Sequence, residues 1–184
     1  FYGGLIFFAI VVLGSIALLV GIKFGKLLKI IQEPLLLAFS TASSEAAFPK
    51  MVEKLKAYGC SDRIISFVLP LGYSFNLDGS IMYMTFATAF IAQTYGRVLS
   101  IEEQITMMLI LLVTSKGMAG VPRASLVVIA ALLPQFGLPE AGLLLLLGID
   151  QILDMGRSAT NVVGNAVATA VVSKWEGELQ ENHL

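Results

Sequence analysis

Residues 143–172 read LLLLLGIDQILDMGRSATNVVGNAVATAVV. The run is apolar enough for a bilayer interior, yet it carries Asp150, Asp154, Arg157, Ser158, Asn161 and Asn165. A helix turns by about 100° per residue, so with Asp154 at zero Asp150 falls at about −40°, Arg157 at about −60°, Ser158 at about +40°, Asn161 at about −20° and Asn165 at about +20°. One stripe carries all six. An ionised side chain at the centre of a bilayer costs about 2.5–3.5 kcal/mol even on the lenient insertion scale. A face with Asp150, Asp154 and Arg157 on it is therefore expected to line a protein interior or a cavity. Mutual charge pairing alone would not explain why so many amides share that face.

The composition points the same way. Of 184 residues 57% are hydrophobic and 14% charged, with mean hydropathy +0.83, whereas about 25% of a soluble domain is charged. A net charge of −1 argues against a nucleic-acid partner. Cys60 is the single cysteine, so neither a disulfide framework nor a cysteine-rich metal site is available. The chain opens at Phe1 inside an apolar run without Met or a cleavable signal pattern, and is expected to be a piece of a longer protein.

Outward from the polar stripe, the remaining apolar segments are one plain span and a series of broken ones. Residues 3–22 carry no charge and would be about 30 Å long as a helix, enough to cross the hydrocarbon core. Residues 27–40 are too short to span, stop at Thr41, Ala42, Ser43, Ser44 and Glu45, and give way to a second short stretch at 46–55. Residues 64–75 break at Asn76, Leu77, Asp78, Gly79 and Ser80 and resume at 81–92. Residues 105–114 break at 115–123 and resume at 124–133. Every break carries Ser, Asn or Asp, which ordinary Gly or Pro kinks would not require.

Basic residues orient these pieces. Lys23, Lys26 and Lys29 precede the first short hairpin and Lys50, Lys54, Lys56 and Arg63 follow it, which puts both its ends in the cytoplasm. The second hairpin has Arg97, Glu102 and Glu103 before it and Glu140 after it, so its ends are expected outside, and Lys174 marks the last helix as ending inside. The fold expected is an all-α membrane protein: an inverted-repeat transporter core with two re-entrant helical hairpins and two discontinuous transmembrane helices. Residues 1–26 form a transmembrane helix, 27–98 the first hairpin with a broken helix, and 99–184 the second hairpin with the polar helix. Inverted repeats with interrupted helices place a substrate and its coupling ions near the midplane, and irregular backbone at that depth must be buried or line a cavity.

These residues carry a resemblance. The chain resembles the dicarboxylate/amino acid:cation symporter family, the glutamate and aspartate transporters, over essentially all its length. The matching motifs are Ser43-Ser44-Glu45 at the first hairpin tip, Asn76-Leu77-Asp78-Gly79-Ser80 where the family usually has N-M-D-G-T, Gly120-Val121-Pro122 in the second hairpin, and Asp154-Met155-Gly156-Arg157 followed by Asn161. The match is to the C-terminal half of the family's transport domain, the N-terminal scaffold being absent.

The resemblance implies roles. Asp154 would receive the substrate's α-amino group, Arg157 its side-chain carboxylate and Asn161 its main-chain carboxylate, with Ser43, Ser44, Ser80, Ser158 and the backbone of Val121 completing the pocket. A planar guanidinium suits a carboxylate, and an aspartate beside it suits an amino acid better than a plain dicarboxylate. Gly72, Asn76, Asp78, Asn161 and Asn165 match cation positions, where sodium is the possible metal. Gly117, Ala119, Gly120, Val121 and Pro122 are expected to form an external gate. No cofactor is implied beyond the coupling ion, H+ or Na+. The partners implied are a small acidic amino acid, the lipid bilayer and, in the full-length protein, two further copies in a homotrimer, in a multi-pass plasma (inner) membrane protein.

Departures from the family bear on the ion. Sodium-coupled members usually carry Asp where this chain has Asn165 and Met where it has Leu77. Met84 stands where animal members carry a Glu linked to proton and potassium coupling, and Arg123 replaces a small or polar residue. The reading favours protons over sodium, with Glu45, at a re-entrant tip, as the leading carrier because burial raises a carboxyl pKa. The alternative is a Na+-coupled acidic amino acid or C4-dicarboxylate symporter. A distant one is an intramembrane aspartyl protease built on Asp78 and Asp154, although neither the Y-D nor the G-x-G-D context occurs. Ser115 beside Lys116 offers no Ser/Lys pair, since helix neighbours do not face each other, and His183 lies in a polar tail. A passive channel would have little use for an Asp and an Arg around one zwitterion.

Overall fold

The computed structural model describes residues 1–117 and 124–180. Among these residues the secondary structure is helical, apart from one isolated β-bridge between Cys60 and Leu179. Helix α1, Tyr2–Leu19, is 18 residues long with mean hydropathy 2.4, about 27 Å. It contains a π turn over Phe8–Leu13, and Ile6, Phe7, Ile10, Leu18 and Leu19 are exposed along it. It ends three residues before the expected boundary because Gly21 takes φ +81° and the Ile22 N–H turns back to the Ala17 carbonyl at 2.8 Å, a glycine helix stop.

Residues 27–40, expected as one stretch, fall in two helices: α2, Phe24–Ile30, and α3, Gln32–Thr41. Pro34 explains the division. It has no N–H to donate to Ile30 and its ring crowds that carbonyl, so the helix restarts with Pro34 in its first turn. Helix α4, Ser44–Tyr58, then runs back against α3. The reversal passes through Ala42 in the left-handed region at φ 51°, and Ser43 caps α4 by accepting from Ala46 N at 3.3 Å. Glu33 on α3 pairs with Lys50 at 3.2 Å and Lys54 at 2.8 Å on α4, which ties the open end of this helical hairpin.

Helix α5, Asp62–Phe75, and helix α6, Asp78–Thr94, are separated by Asn76 and Leu77 alone. The break is shorter than the five residues expected from the sequence, since Asp78, Gly79 and Ser80 already form the first turn of α6. Ile65, Leu69 and Tyr73 belong to one hydrophobic core with α1 to α4 and the second half of the polar helix. Leu77, Tyr83, Met84 and Ile91 belong to another, built with the next hairpin. Helix α7, Ile101–Thr114, opens with a capping box between Ser100 and Glu103 and leads into a 3-10 turn at Ser115–Gly117. Backbone and side-chain bonds from Ser100 and the Arg97 guanidinium, 2.7 Å away, hold the Glu103 carboxyl below the usual range. Helix α8, Ala124–Leu132, returns against α7 and α6.

After two 3-10 turns and the short helix α9, Leu144–Leu147, comes α10, Asp150–Trp175. It packs against α3, α4, α5 and α6; its second half supplies Val162, Val163, Ala166, Val167, Ala170 and Val171 to the first core, while of its residues Leu153 alone touches the second. The C-terminal strap closes the molecule on the loop before α5: Gln180 N donates to Gly59 O at 2.9 Å and Glu178 pairs with Arg63 at 2.9 Å.

Candidate functional site

The stripe on α10 is buried as its periodicity requires. Asp150, Asp154, Ser158, Asn161 and Asn165 are all buried and the Arg157 side chain is 14% exposed. Charges at such a place need partners. Arg157 donates through Nε to Asp154 Oδ1, one turn away. Its Nη1 donates to Ser80 Oγ at 2.9 Å. Asn161 Nδ2 donates to the same hydroxyl oxygen at 3.1 Å, and Asn161 Oδ1 accepts from Gly79 N at 2.8 Å. Asp154, Arg157, Asn161, Gly79 and Ser80 are therefore one network between the middle of α10 and the start of α6. The other N–H groups of Arg157 are not engaged by described residues, which leaves donors for an anion.

A second group lies further along the same helix. Asn76 Nδ2 donates to Asn165 Oδ1 at 3.2 Å. Gly72 faces Asn165 so closely that a Cβ there would stand 2.5 Å from its Oδ1. The Asp78 carboxylate lies against Gly164, where it leaves no room for a Cβ. Gly72, Asn76, Asp78 and Asn165 thus meet around the break between α5 and α6, and Gly79, next to Asp78, carries the bond to Asn161 that belongs to the first network. The donors are hard oxygens and amides. Among the described residues no group of three or more His, Cys, Asp or Glu could hold a metal ion, and burial pushes the Cys60 thiol up.

The first hairpin tip is a third group. Ser43 Oγ and Ser44 Oγ both donate to Glu45 Oε2, at 3.1 and 3.3 Å. Ser44 is buried and Glu45 exposed in this chain. Glu45 stands within electrostatic range of Tyr73, next to Gly72. Of the expected gate, Gly117 ends the 3-10 turn, while Ala119, Gly120, Val121 and Pro122, with Arg123, lie outside the described residues. Ser158 Oγ and Asn165 Nδ2 are buried without a hydrogen-bond partner among the described residues.

Sequence reasoning passed over four participants. The Gly79 N–H had no reason to be singled out within its motif. Gly164 carried a signal, a glycine one turn from Asn161 on the same helix. Tyr83 donates to buried Asp150 Oδ1 at 2.6 Å, and Lys116 Nζ donates to the Phe75 carbonyl. Neither pair has a local signature. Asp154 spends its charge on Arg157 while Asp78 faces Gly164, so the two carboxylates do not form a dyad.

Residues 1–175 match the Sodium:dicarboxylate symporter family. A "Proton/sodium-glutamate symport protein" of Geobacillus stearothermophilus is 52% identical over 180 residues, 98% of this chain and 43% of that protein. A "Proton/glutamate-aspartate symporter" of Escherichia coli (strain K12) is 54% identical over 172 residues, 94% of this chain and 39% of that protein. A "C4-dicarboxylate transport protein" of Erwinia tasmaniensis is 47% identical over 185 residues, 100% of this chain and 44% of that protein. The chain spans less than half the length of these relatives. They are transporters, not enzymes, and the protease reading falls.

Proposed function

The chain belongs to the sodium:dicarboxylate symporter family, and from that premise we propose that it forms the substrate-binding part of a symporter importing glutamate or aspartate with protons. The observation that carries this reading is the network of Asp154, Arg157, Ser80, Asn161 and Gly79. An ammonium approaching Asp154 and a carboxylate approaching Arg157 would exchange the internal ion pair for two external ones, so little charge is left uncompensated when substrate enters. Asn161 would turn its amide toward the main-chain carboxylate, beside Ser80, Ser158 and the backbone of Val121. Ser43 and Ser44 would close the pocket from the first hairpin.

Gly72, Asn76, Asp78, Asn161 and Asn165 would hold the coupling cation, with Asp78 the only full charge among them. The neutral Asn165 favours protons over sodium, and Glu45 is the proton carrier in this reading. The α3–α4 and α7–α8 hairpins would be re-entrant and related by an inverted repeat, within a homotrimer in the plasma membrane. A second reading, C4-dicarboxylate transport, is favoured by the name of the Erwinia relative. It leaves Asp154 without an ammonium to receive.

Uptake of labelled aspartate into proteoliposomes holding the full-length protein, with sodium and pH gradients imposed separately, tests the proposal. Uptake is expected to follow the pH gradient, and Glu45→Gln to preserve exchange of internal for external substrate while suppressing concentrative uptake. Sodium-driven uptake that ignores pH, or a Gln variant that concentrates substrate like the parent, would overturn the proton assignment. Accumulation of succinate in preference to aspartate would favour the second reading.

A further inference from the structure

The C-terminal end of α5 is the negative pole of a helix that stops at the break, with the Phe75 side chain exposed and Asn76 half-buried. Its last carbonyls have no intrahelical partner and together carry about half an elementary negative charge. Asn76 N still reaches Gly72 O at 2.7 Å, and then the backbone leaves the helix. No basic residue lies in the last turn of α5. The charge arrives from elsewhere in the chain: Lys116 donates through Nζ to the Phe75 carbonyl and stands within electrostatic range of the Asp78 carboxylate. The 3-10 turn Ser115–Gly117 that carries Lys116 packs on α5.

Carbonyls at the end of a broken helix together with a carboxylate are the surroundings that draw a monovalent cation out of water. The ammonium of lysine is a compact point charge on a flexible stem; here it bonds the carbonyl of Phe75 and acts on the Asp78 carboxylate through space. We infer that Lys116 is a tethered internal cation that fixes coupling-ion specificity, its ammonium holding the end of α7 against the break where the chain would otherwise need a free ion. The inference rests on the reading of the chain as part of a cation-coupled symporter. Removing the ammonium leaves the α5 carbonyls and Asp78 uncompensated, and the variant should recruit sodium in its place.

The test is aspartate uptake into proteoliposomes by the full-length protein, in sodium and in choline media, for the parent and for Lys116→Met. Stimulation by sodium in Lys116→Met is expected to exceed that of the parent by about tenfold, the scale of one charge-assisted hydrogen bond. Lys116→Cys, with native cysteines replaced, separates charge from shape. Aminoethylation of the new thiol restores the ammonium and is expected to return the sodium response to the parental value, whereas a neutral methylthio adduct is not. A Met variant with the parent's sodium response, equal effects of the two adducts, or failure of aminoethylation to restore a silent Cys variant would each overturn the inference. A parent that transports no acidic substrate under either gradient would overturn the functional reading itself, and the inference with it.

Discussion

The backbone N–H of Gly79 donates to Oδ1 of Asn161 at 2.8 Å, and this bond fastens the start of α6 to the middle of α10. N–H groups in the first turn of a helix have no intrahelical partner, and here a fully buried amide supplies one. The other end of that amide reaches Ser80 Oγ, which also receives Arg157. One side chain therefore ties the broken helix to the charged stripe. Glycine is required at position 79, since a Cβ there would run into the Arg157 carbonyl oxygen and stand 3.0 Å from Thr160 Cβ.

Asn161→Ala should break this junction. The Gly79 N–H would be left buried without its acceptor, a loss of about 1–3 kcal/mol. Thermal unfolding of the full-length protein in detergent should show a lower Tm, and aspartate binding should weaken in the same variant. Parental Tm and affinity together would mean that the bond is incidental.

Gly164→Ala should act on the proposed cation cluster around Asp78 and spare Asp154 and Arg157. The added methyl would meet the Asp78 carboxylate and stand 3.2 Å from Asn76 Nδ2. Overpacking of this kind costs about 1–3 kcal/mol, and relief requires Asp78 to move. The coupling-ion dependence of uptake should shift while competition between aspartate and glutamate stays as in the parent. An unchanged ion dependence would separate Asp78 from the cation site.

At the N terminus of α7 the expected signature is acid lability. Bonds from Ser100 and Arg97 lower the Glu103 pKa in the folded protein. A carboxyl with a depressed folded pKa stabilises the fold above its unfolded value, and that contribution is lost as pH falls through the folded one. The window therefore opens below about pH 4.3, the ordinary glutamate value. Protection of the first-turn amides of α7, relative to their intrinsic exchange rates, should fall there in the parent, and Glu103→Gln should already show the lower protection at neutral pH. Identical protection in parent and Gln variant at neutral pH would remove Glu103 from the cap.

The stripe on α10 was legible because a helix repeats every 3.6 residues and six polar side chains on one face have few places to go. The first hairpin tip was legible because a short apolar stretch stops at Thr41, Ala42, Ser43, Ser44 and Glu45 and a second one follows at 46–55. Residues 27–40 were misread as continuous because Pro34 breaks the helix behind it, at Ile31, while looking harmless in its own first turn. The Tyr83–Asp150 and Lys116–Phe75 bonds join residues 67 and 41 positions apart, and no local pattern announces pairings made by the packing of α6 on α10 and of the turn after α7 on α5. In the sequence Gly79 stood only as a member of its motif, and Gly164 was not singled out. In the fold a neighbouring helix group sits against the bare backbone of each, as Asn165 does at Gly72.

Equilibrium binding of labelled aspartate and of a neutral amino acid to the full-length Arg157→Cys variant tests the central claim most directly. Aspartate binding is expected to be lost, because the variant has no cation for the distal carboxylate, and binding of the neutral amino acid to persist or improve, because Asp154 would still receive its ammonium. Aspartate bound with parental affinity would show that Arg157 serves only to neutralise Asp154, and the assignment of the site to acidic substrates would fail.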